Sequence, residues 1–96
     1  MRMLLKVSIP VEKGNEAITS GVLGETIQSA LAVLKPEATY FWAEDGRRTG
    51  LFVFDMEDSW QLPLIIEPLF QTLDASVHIT PVMTGEDLES GLRAMG

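Results

Sequence analysis

The chain has 96 residues, 46% of them hydrophobic and 22% charged, the proportions of one globular domain rather than of a disordered segment or a pair of domains. Its net charge of −7, from 14 acidic against 7 basic residues, opposes binding to nucleic-acid phosphates and to anionic membrane surfaces. Cysteine is absent, which excludes disulfides, thiolate metal ligands and cysteine nucleophiles.

The opening MRMLLKVSIPVEKG holds an apolar run too short for a signal peptide, and Lys6 interrupts it. No stretch approaches the roughly 18 apolar residues of a membrane span. A cytoplasmic location is expected. Met3–Ile9 is aliphatic and β-branched and stops at Pro10, which predicts a strand. Leu5, Val7 and Ile9 fall on one face, and Leu4, Lys6 and Ser8 on the other.

Asn15–Leu34 is read as a helix, with Asn15 as N-cap and Glu16 in the first turn. Ile18, Val22, Ile27, Ala30, Leu31 and Leu34 make its apolar stripe. Gly21 and Gly24 weaken it by roughly 1 kcal/mol each relative to Ala, offset by close approach to a sheet or simply tolerated. Lys35 precedes Pro36, which disfavours further helix.

Thr39–Glu44 and Arg48–Met56 read as two strands around Asp45-Gly46, a type I′ hairpin signal. With that pair as the loop, Glu44 opposes Arg47, Trp42 opposes Thr49 and Tyr40 opposes Leu51. A second helix is expected from Asp58 or Ser59 to about Leu73, with Asp58 and Gln61 as a capping box and a kink or break at Pro68. Ser76–Val82 reads as a fourth strand, placed at an edge or at the end of pairing by Pro81. Thr84 with Asp87 then caps a short C-terminal helix.

The order strand, helix, strand, strand, helix, strand predicts an α+β fold over residues 1–96 as one domain. It is the ferredoxin-like βαββαβ arrangement, an antiparallel sheet with its helices on one face. The helix-facing set is Leu5, Val7, Ile9, Phe41, Phe52, Phe54, Val77 and Ile79. The opposite face carries Leu4, Lys6, Ser8, Tyr40, Trp42, Leu51, Val53, Asp55, His78 and Thr80. Two helices cannot cover both faces. The second face would expose a larger apolar patch than soluble monomers tolerate, so a second copy is expected to seal it, sheet against sheet.

Two stretches, YFWAEDGRRTGLFVFDMED and IIEPLFQTLDASVHITPVMTGEDL, together with the element order, resemble the dimeric α/β barrel superfamily, and within it an uncharacterised family of small bacterial proteins. The resemblance implies paired ferredoxin-like subunits and leaves the function open, because one fold hosts many activities. Haem-degrading oxygenases of that superfamily use an Asn, a Trp and a helical His. The corresponding places here hold Lys6 and Ser8, no Trp on the third strand and no His on the second helix, which speaks against that activity.

The second face mixes polar groups into an apolar wall, the make-up of a small-ligand cleft. Lys6, Ser8, Tyr40, Trp42 and Asp55 are the candidate ligand-binding residues. His78, the only histidine, is the candidate proton shuttle. Each has a bland counterpart: His78 bonded at the sheet, Lys6 and Asp55 as an ion pair, Tyr40 and Trp42 as interface anchors. Glu44, Arg47 and Arg48 around the turn read as a cross-strand charge pair, or as an arginine reaching a partner or a ligand carboxylate. Trp60 reads as an anchor for its helix end. No metal-ligand spacing, phosphate loop or cofactor motif occurs. The expected function is small-molecule binding by a homodimer. The alternative is a cofactor-independent isomerase or monooxygenase acting on an aromatic or lactone-like substrate.

Overall fold

A computed structural model describes all residues 1–96. In chain order it contains β1 (Arg2–Ile9), α1 (Val11–Ser20), α2 (Val22–Leu34), β2 (Ala38–Glu44), β3 (Arg47–Asp55), a 3₁₀ turn at Ser59–Gln61, α3 (Leu62–Leu73), β4 (Ser76–Pro81) and α4 (Gly85–Ala94). The four strands form one antiparallel sheet in the order β2-β3-β1-β4. This α+β arrangement is consistent with the ferredoxin-like fold.

The hairpin matches its reading residue by residue. Glu44 faces Arg47, Trp42 faces Thr49 and Tyr40 faces Leu51. Asp45 and Gly46 take φ of 53° and 73°, the double positive φ of a type I′ turn. Because the pairing is unbroken, β1 and β4 sort as expected too: Leu5 faces Phe52 and Ile79, and Lys6 faces Leu51 and His78.

The first predicted helix is two helices. α1 begins at Val11, directly after Pro10, with Gly14 N–H donating to the Pro10 carbonyl at 2.8 Å. Asn15 therefore lies inside the helix and does not cap it. Gly21 takes φ 82° and closes α1, donating its N–H to the Ile18 carbonyl at 3.2 Å. Such a left-handed residue is a common helix stop, and here it turns α2 away from α1 by 91°. α1 buries Gly14 and Ala17. α2 packs on α1 and α3, and its contacts with the strands are sparse.

The capping box of Asp58 and Gln61 forms, but on the 3₁₀ turn. Pro68 lies within one continuous α3, on its exposed side, so the kink or break expected there does not form; the 3₁₀ turn passes into α3 at Leu62, one residue before Pro63. Trp60, expected to anchor this end, is 66% exposed. Thr84 caps α4 as read: its Oγ1 accepts from Asp87 N–H at 3.1 Å, and Asp87 Oδ2 accepts from Thr84 N–H at 3.0 Å.

The core lies between the sheet and the helices. Leu5, Phe52, Phe54 and Leu73 are its most deeply buried large side chains. Phe41 belongs to the same sheet face yet remains 56% exposed, because α2 does not close over β2.

Candidate functional site

Along the uncovered face of the sheet, Leu4, Lys6, Ser8, Tyr40, Trp42, Leu51, Val53, Asp55, His78 and Thr80 are brought onto one surface by the register. Tyr40 is 65% exposed. The charges on this surface are arranged differently from the expectation. Lys6 Nζ pairs with Glu44, not with Asp55. Asp55 binds the amino terminus of Met1 at 2.7 Å. The reason is register: Lys6 stands opposite Leu51, while Asp55 stands opposite Arg2, roughly 13 Å away along the strand. The two residues do not share a site.

The Lys6 ammonium, by hydrogen bond first and by charge second, holds the Glu44 carboxyl below its ordinary range, with a smaller contribution from the Trp42 side chain. Lys6, Trp42 and Glu44 thus form one polar cluster on the open face. Ser8 sits beside it, opposite Thr49 and Ser76. His78 faces Lys6 from the edge strand β4. No three His, Asp or Glu side chains converge as a metal site.

On the other side of the sheet lies a cavity of about 830 Å³, within the usual range for a small-molecule pocket. It exists because Gly21 swings α2 off the strands. Leu23, Ile27 and Ala30 of α2 form its roof, Phe41 and Phe52 its floor, and Leu69 of α3 closes one side. The two phenyl rings meet edge to face, with centroids 5.8 Å apart at 84°, a favourable aromatic geometry. The Phe41 ring rests on Gly50, where a Cβ would come within 3.1 Å of it.

Arg48 supplies the cationic group of this wall. Its Nη2 donates to Asn15 Oδ1 at 3.0 Å and its Nη1 to the Val11 carbonyl at 3.5 Å. It stands in none of the chain's ion pairs, so several guanidinium donors remain for other acceptors. Of the residues singled out in the sequence, Trp42 and Arg48 border the cavity. Lys6, Ser8, Tyr40, Asp55 and His78 do not. The cavity was hidden because the apolar stripe of α2 reads as helix packed on sheet. Gly21, inside that stripe, was the available signal.

No single helix is long and apolar enough to cross a membrane, and the pair α1–α2 that would suffice together is bent at Gly21. No family model matches the chain, and no curated protein resembles it in sequence.

Proposed function

We propose that this protein is a cytoplasmic homodimer of the dimeric α/β barrel type that binds a small apolar or aromatic molecule. The observation that carries the binding is the cavity of about 830 Å³ between α2 and the sheet. Its wall is largely aliphatic and aromatic, with Arg48 as a polar handle, the combination that buries an apolar body and orients one polar group. The pairing is supported by the sheet face that the helices of the same chain leave uncovered, where Tyr40 and Trp42 are exposed beside the half-buried Leu4, Leu51 and Val53. In this reading the sheet face serves assembly, and the ligand sits on the helix side. An isomerase or monooxygenase working through His78 draws no support from the cavity, since His78 is on the opposite face.

The test uses the fluorescence of 1-anilinonaphthalene-8-sulfonate, an aromatic anion. The expected result is one saturable site per chain, lost in Ala30→Trp, which fills the roof, while the unfolding midpoint is kept. Equal binding by the filled variant, or no saturable binding by the parent, would defeat the proposal.

A further inference from the structure

α4 is a helix without a place in its own domain. It makes no substantial packing contact with any other element. Leu88 is 48% exposed, Leu92 56% and Met95 83%. They recur at the spacing of one helical stripe. The radius of gyration is 15.3 Å, against about 12.5 Å for a compact chain of this length. The molecule measures 55 × 28 × 17 Å. Its smallest dimension is that of a sheet with one helix layer, so α4 is not folded over either face and extends along the length. An isolated helix shorter than about 12 residues is marginal in water, and Gly91 weakens this one further.

We infer that α4 is an exchange arm, whose Leu88, Leu92 and Met95 stripe packs on a second copy of this chain and is ordered by it. The inference rests on the proposed sheet-to-sheet dimer. Two observations select the second copy over other partners. First, Arg2 of the open face, bound chiefly to Glu37, also lies beside Asp87 in the first turn of α4, with 3.8 Å between Nη1 and Oδ2. A molecule that covers the open face therefore meets the arm. Second, exchange of the arm adds substantially to that interface. Four strands at their usual spacing and length give on the order of 500 Å² in plan. A helix of ten residues offers roughly 150 Å² in plan, counted twice for each protomer because it gives an arm and receives one. Exchange therefore enlarges the contact by more than half. A membrane is a poorer partner: the polar side of α4 carries Glu86, Asp87 and Glu89 against Arg93, and anionic lipid repels it.

The experiment is sedimentation of the full chain, of the double variant Leu88→Asp with Leu92→Asp, and of Leu51→Asp. Hydrogen exchange of the α4 amides is followed across protein concentration. The expected result is a dimeric full chain whose association weakens at least tenfold in the arm variant. The unfolding midpoint at high dilution stays unchanged, and α4 is protected only at concentrations where dimer forms. An arm variant that associates as tightly as the parent would overturn the arm and leave the sheet-face dimer standing. A full chain that sediments as a monomer, with Leu51→Asp indistinguishable from it, would overturn both. Protection of α4 that arises only on phosphatidylglycerol vesicles would overturn the arm as an assembly element.

Discussion

Arg48 lies across Gly14. A Cβ at position 14 would stand 2.5 Å from Arg48 Nη1 and 3.4 Å from its Cδ. The glycine in the first turn of α1 thereby lets a strand side chain reach the Val11 carbonyl and Asn15 and fixes the guanidinium at the cavity wall. This contact makes the effect of Gly14→Ala depend on residue 48. With Arg48 removed by Arg48→Ala, Gly14→Ala should stabilise the protein by up to about 1 kcal/mol through helix propensity. With Arg48 present that gain should vanish or reverse, as the added methyl displaces the guanidinium from its partners. A double-mutant cycle by urea unfolding checks this, and a coupling below about 0.5 kcal/mol would show that the two residues act independently.

The dimer makes a thermodynamic prediction distinct from mass measurement. A folded assembly gains stability with protein concentration. The melting temperature should therefore rise on concentrating the parent protein. In Tyr40→Ala the rise should be smaller, because a large, 65% exposed aromatic of the open face is removed. Leu5→Ala should behave otherwise. Leu5 is 0% exposed, so its loss should destabilise by about 2–5 kcal/mol at every concentration. Differential scanning calorimetry over a hundredfold concentration range separates the two patterns. A flat melting temperature for the parent would contradict the pairing.

Strands were legible in the sequence because their signals are local. Asp45-Gly46 fixes a two-residue loop, and that loop fixes which residues of β2 and β3 share a face. Alternation in β1 and β4 then follows from pairing. Helix packing was less legible, since it depends on where a helix axis points. The stripe from Val22 to Leu34 is apolar whether it lies on the sheet or stands away from it. One residue, Gly21, decides between these outcomes, and a glycine in a helical pattern reads equally as a tolerated weakness. The site inherits the same limit: its open-face members follow from register, while the cavity follows from a bend. Lys6 and Asp55 shared a face in the sequence, but distance along the strand, not face, decides an ion pair.

Acid should loosen the Lys6–Glu44 link in a predictable direction. The Glu44 carboxyl titrates below its ordinary value of 4.5 in the folded chain, chiefly through the Lys6 hydrogen bond. Its contribution to stability is therefore present above pH 4.5 and lost as pH falls through the lowered folded value. In Lys6→Met the Glu44 carboxyl should return toward its ordinary value, and that acid-sensitive component should disappear. Carbon-detected NMR titration of Glu44 in both proteins reads the shift. An unchanged Glu44 titration in the variant would show that Lys6 is not its partner in solution.

The two glycines of the predicted first helix should respond to alanine with opposite signs. Gly21 has φ 82°, and nothing lies within 4 Å of an added Cβ there, so the obstacle is backbone strain rather than space. An alanine in the left-handed region costs roughly 1–2 kcal/mol, and the strain is relieved only by straightening the corner between α1 and α2. Gly24 lies inside α2, also with open space around a Cβ, and its backbone is one that any residue adopts. Gly24→Ala should stabilise by up to about 1 kcal/mol from helix propensity and the smaller entropy of the unfolded chain. Because the corner is what lifts α2 from the sheet, Gly21→Ala should also weaken dye binding in the cavity, and Gly24→Ala should leave it unchanged. Urea unfolding and dye titration of both variants check the pair. A stabilising Gly21→Ala that binds dye as tightly as the parent would mean that the cavity does not depend on the bend.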